Sequence, residues 1–338
     1  MVRRGLLIAM GLLWVVGVLA GPVAFAAEVE GEPADEPAAD PSKETPQEPP
    51  ESKRRPLESR LMGATPEERA RLAEERKRIS EAAAAIGTDP TAIVGYYQAG
   101  YGHTELTNGL RLDTATAVVR LPLTPNWLLQ VTIPYVWADL NRAPGFPTDG
   151  ISDTVVRTGW RLYASQKVSL FIGGDASFPT ASEPQLGTGK YTLGPGGGVA
   201  APLPRLRSLF FTLVEDFISV GGDPSRADIH FLRVQPGLNT IWSERWWSLA
   251  VMTWNIDWTQ RLESTVNLLG TVGYRFDKHW NVFAGAGGGV VGRDASLGQD
   301  WTVQVGVRWV FRTPLIPETI WGGPLGPPAQ GRGEREVK

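Results

Sequence analysis

The chain has 338 residues, 33 basic and 36 acidic, with a formal net charge of −3 and no cysteine. This balance gives no sign of the clustered basic face that nucleic acid requires. The absence of cysteine removes disulfide frameworks, thiolate-bound zinc, cysteine nucleophiles and a lipidated cysteine anchor, and it suits export through an oxidising compartment.

Residues 1–26 have the pattern of a signal peptide: Arg3 and Arg4, an apolar run over 5–19, and the cleavage site Ala24-Phe25-Ala26. The run is shorter than the ~20 apolar residues a membrane-spanning helix needs. Residues 27–64 are rich in Pro, Glu and Ala, too poor in apolar groups to order themselves, and read as a disordered linker. A periplasmic helix is predicted over 65–88. Thr65 and Glu68 make a capping box, Pro66 takes the first helical position, and Gly87 and Pro90 end it. Its apolar stripe is thin, only Leu72, Ile79 and Ile86 at seven-residue spacing. That fits a solvated helix leaning on another surface, or a short seam joining copies into a homo-oligomer.

From 89 to 311 the texture is β. Twelve strands are predicted, near 91–102, 112–121, 128–138, 152–163, 168–178, 191–202, 208–218, 228–241, 246–258, 264–276, 281–291 and 301–311. Short connections (122–127, 164–167, 203–207, 242–245, 277–280) alternate with longer ones (103–111, 139–151, 179–190, 219–227, 292–300). The connection at 259–263 is short and breaks the rhythm. Tight turns on one rim and long loops on the other mark outer-membrane barrels. Residues 312–338 form a Pro/Gly-rich tail.

The last strand shows the alternation best. Trp301, Val303, Val305, Val307, Trp309 and Phe311 share one face, and Thr302, Gln304, Gly306 and Arg308 the other. Period two does not say which face points inward, since a soluble barrel and a membrane barrel are inverses of each other. The leader, the turn asymmetry and the aromatics at strand ends favour the membrane. Trp127, Trp242, Trp246, Trp247 and Trp280 fall at one rim, Trp137, Trp258 and Trp301 at the other. The fold class is therefore all-β, a transmembrane antiparallel up-and-down barrel with both termini periplasmic. Outer-membrane lipids and the barrel-assembly machinery are its expected partners.

With the apolar face toward lipid, the expected lumen lining includes Arg120, Asp153, Arg157, Arg161, Asp175, Asp216, Arg233, Asp257, Arg275 and Arg308. These charges read either as a selectivity lining or as an ion-pair network filling a narrow lumen, and the segment before the barrel is a candidate plug. Gly287-Gly288-Gly289-Val290-Val291-Gly292 matches a dinucleotide fingerprint, but no helix follows. The glycines at 194–198 and 285–289 fit strands where aromatic rings approach closely. Catalysis is not expected: His103, His230 and His279 lack a nucleophile motif, with Ser225 the one hydroxyl to consider beside His230. No cofactor or metal is implied.

Several loop pieces resemble a known family. They are Pro134-Tyr135, Gly150-Ile151-Ser152-Asp153, Phe178-Pro179-Thr180, and Leu186-Gly187-Thr188-Gly189-Lys190 followed by Tyr191-Thr192-Leu193-Gly194. Together they resemble the bacterial outer-membrane proteins named after the meta pathway of phenol degradation. The resemblance covers about 91–311 and implies a barrel that passes small solutes, aromatic or hydrophobic ones among them. Ala181 departs from the glycine expected after Pro-Thr, and the helix and the tail lie outside the resemblance. The function expected is a passive outer-membrane channel. The alternative is a structural barrel with a narrow or plugged lumen, whose helix tethers a periplasmic partner.

Overall fold

The computed structural model describes residues 65–107, 109–140, 149–260, 262–295 and 298–311. The signal peptide, the linker and the tail lie outside the described residues. A helix, α1 (Pro66–Ile86), precedes the strands β1 (Gly95–Glu105), β2 (Leu110–Pro122), β3 (Trp127–Leu140), β4 (Asp149–Ile151), β5 (Thr154–Ala164) and β6 (Ser169–Phe178). Then follow β7 (Lys190–Leu203), β8 (Ser208–Gly222), β9 (His230–Ile241), β10 (Trp246–Asp257), β11 (Glu263–Arg275), β12 (Trp280–Val291) and β13 (Trp301–Phe311).

Except for β4 and β5, each strand pairs antiparallel with its sequence neighbour, and β1 pairs with β13 along its full length, from Gly95 opposite Phe311 to Glu105 opposite Trp301. The sheet is thereby closed and has no free edge. The segments β4 and β5 both pair with β3 and share one place in the ring, interrupted at Ser152 and Asp153, so the barrel is twelve-stranded. The strand expected over 152–163 is β5, starting at Thr154, and β4 falls within the connection expected over 139–151. Five connections on one rim are four-residue turns, at 123–126, 165–168, 204–207, 242–245 and 276–279. The first long connection is shorter than expected, 106–109, because β1 and β2 run further before turning.

Exposure settles which face points where. Trp301, Val303 and Val305 are exposed on the outside, while Thr104, Thr132, Asn255, Thr265 and Arg308 are buried within. Polar side chains thus face the lumen and apolar ones the surroundings, the inverse of a soluble barrel. Trp242, Trp246 and Trp280 form part of an exposed belt at the short-turn rim. Trp247 departs from the expected belt. It is 2% exposed and points inward, stacked over the Cα of Gly273, where an added Cβ would come within 2.0 Å of the indole.

The reason is the helix. Thr65 caps α1, its side chain accepting from the Glu68 amide at 3.2 Å while the Glu68 carboxylate accepts from the Thr65 amide. Gly87 ends it in the left-handed region at φ 72°. Between these caps the helix runs into the lumen from the short-turn end. Ile79 and Ala83 pack on Ala200, Leu209, Phe211 and Val251, and Ile86 on Trp247 and Phe283. Two of the three stripe residues are spent on the barrel interior, which leaves neither Ile79 nor Ile86 for a seam with another helix. Residues 91–94, expected to open the first strand, instead line the path from α1 to β1, with Thr91, Ala92 and Val94 buried.

Candidate functional site: the lumen and the helix that fills it

The lumen is narrowed from both ends. At the short-turn end the closure is α1 and the residues after it. Arg308 on β13 donates from Nη1 to the carbonyls of Ile86 and Gly87, both at 2.8 Å, and from Nε to Gln98 Oε1 at 2.8 Å. A guanidinium on the last carbonyls satisfies acceptors that have no intrahelical donor and complements the negative end of the helix dipole. On β2, Arg120 donates from Nη2 to the carbonyls of Ala92 (2.9 Å) and Pro90 (3.2 Å). The Tyr96 ring lies between these two cations, 4.8 Å from the Arg308 guanidinium carbon and 5.6 Å from that of Arg120.

At the long-loop end the connection between β6 and β7 turns inward. Leu186 is fully buried among Leu106, Leu110, Leu112, Val136 and Ala138. The loop is tied to the break between β4 and β5. Ser152 donates from Oγ to the Leu186 carbonyl, and Asp153 Oδ2 accepts from both the amide and the hydroxyl of Thr188 at 2.7 Å. Two sequence pieces separated by about thirty residues, 150–153 and 186–190, thus form one structural unit at the mouth.

Between these closures is a cavity of ≈ 240 Å³, floored by Gly87, Thr88 and Pro90. Midway up the barrel, charges cross it. Arg157 on β5 grips Asp175 on β6 with two bonds of 2.6 and 2.9 Å, and reaches Glu215 on β8 at 2.9 Å. Glu215 stands opposite Arg233 on β9 in the ladder, and Arg233 donates to Asn255 Oδ1 at 3.2 Å. The Arg233 guanidinium also covers the rings of Phe217 (4.6 Å) and Phe231 (5.3 Å).

Of the ten charges expected in the lumen, Arg120, Arg157, Asp175, Arg233 and Arg308 line this cavity. Asp153 sits at the mouth as described. Arg161 is at the short-turn rim, donating to the Pro125 carbonyl at 2.9 Å. Arg275 lies at the same rim, in a cleft beside Arg78 and Glu81 of α1. Asp257 ends β10 and holds a turn, accepting from the Thr259 amide at 2.8 Å and from its hydroxyl at 2.6 Å. Asp216 is a correction. It points outward with Val214 and Ile218, its side chain 48% exposed and 3.4 Å from His230. Its neighbour Glu215, 5% exposed, is the inward carboxylate. The slip has a physical cause: the inward face of β8 is itself apolar (Leu209, Phe211, Leu213) where it meets α1 and the cavity, so alternation does not mark its phase.

The histidines have ordinary partners. His103 Nδ1 is 2.9 Å from Asp113 Oδ1 on the outer face, and His279 Nδ1 is 2.8 Å from the Val310 carbonyl. Ser225 donates its hydroxyl to Asp223 at 2.7 Å, and that bond holds the Asp223 carboxyl below its usual range. Among the described residues, no helix is long and apolar enough to cross a membrane, which says nothing about strands.

Solved structures share this architecture. At 14% identity and a TM-score of 0.50, the fold is similar to an outer-membrane channel from Pseudomonas putida F1, with 64% of this chain and 95% of that one covered. It is also similar to the NanC porin (TM-score 0.46, 9% identity, 64% and 98% covered) and the KdgM porin (0.45, 9%, 64% and 99%). The fold is thus shared with an outer-membrane channel. No family model matches the sequence, and no curated protein matches it.

Proposed function

We propose that the chain is an outer-membrane channel for small molecules, held closed at its short-turn end by α1, with that end in the periplasm. The observation that carries this reading is the inverted barrel: apolar and aromatic residues outside, charged and amide residues inside. An outward apolar wall needs a lipid partner, and a polar lumen suits aqueous solutes. The junction of 150–153 with 186–190 at the mouth supports kinship with the phenol meta-pathway type of barrel, because both pieces belong to that resemblance. Small aromatic solutes are then a natural cargo class.

The test is conductance in planar bilayers, comparing the intact mature chain with one lacking residues 65–90. Low or intermittent conductance that rises severalfold on deletion supports a plugged channel. Silence in both forms overturns the conduit and favours a second reading, suggested by the helix filling the lumen: a closed structural barrel whose exposed helix start meets a periplasmic partner.

A further inference from the structure

The lumen charges do not balance locally. Four guanidiniums line the cavity, Arg120, Arg157, Arg233 and Arg308, and the carboxylates among them are Asp175 and Glu215. Both carboxylates are bonded to Arg157. The nearby Asp89 is shared between Arg120 and Arg161 without a hydrogen bond to either, and it accepts from the amide and the hydroxyl of Thr91; three carboxylates thus face five guanidiniums. Arg120 and Arg308 meet carbonyls, Gln98 and a tyrosine ring, and among the described residues neither has a bonded carboxylate. Arg120 is 6% exposed and Arg233 3%, yet Arg120 Nε and Arg233 Nη1 have no acceptor among the described residues. Buried donors of a cation left without an acceptor are costly, and an anion relieves that cost.

The cavity is two-sided. The strands β1 and β8 stand six places apart in the twelve-strand ring, on opposite walls. The side around β1 carries Arg120 and Arg308, whereas β8 and β10 present Phe211, Leu213 and Val251. A purely inorganic anion would leave that apolar wall unused. A volume near 240 Å³ holds one substituted ring, since about 150 Å³ suffices for benzene.

We propose that this cavity binds a small organic monoanion with an apolar body, a carboxylate of the benzoate kind. Its carboxylate would be held at the Arg120 Nε, on the side that also carries Arg308, and its body laid toward Phe211 and Leu213 on the facing wall. The inference rests on the conduit reading and names its solute class: passage would begin with capture of an acid above the helix.

The test is titration calorimetry of the full mature chain in detergent at constant chloride, with benzoate, benzamide and acetate as probes. Benzoate is expected to bind saturably. Benzamide, which keeps the ring and loses the charge, is expected to bind at least tenfold more weakly, and acetate, which keeps the charge and loses the ring, likewise. Arg120→Gln is expected to weaken benzoate at least tenfold. The probe comparison needs no variant, so a misfolded variant does not decide the matter. Benzamide binding as tightly as benzoate, or absence of benzoate binding, overturns the anion site. Bilayer conductance of the same preparation reads the conduit separately, so a conducting barrel without benzoate binding removes this inference alone.

Discussion

Arg308 donates to the carbonyl of Ile86 at 2.8 Å, so the strand that closes the barrel also holds the end of the helix that fills it. One side chain thereby couples barrel closure to plug docking. Arg308→Met keeps most of the apolar stem and removes the charged donors. Hydrogen bonds from charged groups contribute about 1.5–3 kcal/mol each. Loss of those on Ile86 and Gly87 is expected to speed amide exchange over residues 79–90 at least tenfold, with strand amides unchanged. Hydrogen–deuterium exchange read by mass spectrometry checks this. Unchanged exchange over 79–90 would show that apolar packing alone holds the helix.

The packing half of that docking has its own test, made simple because the chain has no cysteine. Ala83 is fully buried against the barrel wall, while Glu74, earlier on the same helix, is exposed. Ala83→Cys is expected to react with a polar maleimide at least ~100-fold more slowly than Glu74→Cys, as protection by a local opening equilibrium requires. Adding Ile86→Ala, which removes contacts with Trp247 and Phe283, costs about 2–5 kcal/mol of docking and raises the Ala83→Cys rate accordingly. Equal rates at the two positions would mean that the helix does not sit in the lumen.

Much of the architecture is legible in the sequence, and what is not has a definable cause. Alternation placed β13 and β3 in phase, because Thr302, Gln304 and Arg308, or Gln130 and Thr132, oppose unbroken apolar faces. The capping box at Thr65 and the stop at Gly87 marked the helix ends. What alternation does not carry is the partner of an inward face. Where α1 packs, β8 and β10 are apolar on both sides, so alternation there does not tell the inward Glu215 from the outward Asp216, nor the inward Trp247 from the belt. The Arg157–Glu215 bond joins strands that are not neighbours, a relation that no period in the sequence encodes. The stripe at Leu72, Ile79 and Ile86 held the missing information, since it needed an apolar surface to meet.

At the mouth, Asp153 and Thr188 make a unit whose energy is separable. Asp153→Ala leaves the buried Thr188 amide without its acceptor and the hydroxyl with only the Lys190 carbonyl at 3.4 Å, at a cost of about 1–3 kcal/mol. Thr188→Val removes one of the two donors. Because both changes disturb the same bonds, their effects are expected to be less than additive, with a coupling of about 0.5–2 kcal/mol in a double-mutant cycle. Urea unfolding of the detergent-solubilised barrel gives the four stabilities. Additivity would show that the loop carrying Leu186 is held by its apolar cluster and not by Asp153.

Glu215 and Asp216 are adjacent carboxylates on opposite faces of β8, with opposite expectations. Glu215 is buried, bonded to Arg157 and opposite Arg233. Neutralising one partner of a buried ion pair leaves an uncompensated charge and typically costs about 3–5 kcal/mol. Glu215→Gln keeps the shape and some hydrogen bonding, and Asp175 still holds Arg157, so the expected loss lies toward the lower end of that range. Asp216 is half exposed beside His230, and exposed pairs contribute about 0–1 kcal/mol. Asp216→Asn is therefore expected to leave stability nearly unchanged. The midpoint of heat-induced unfolding, followed by the gel mobility shift of folded barrels, distinguishes the two variants. A large loss in Asp216→Asn with none in Glu215→Gln would reverse the phase of β8 and, with it, the assignment of the lumen wall.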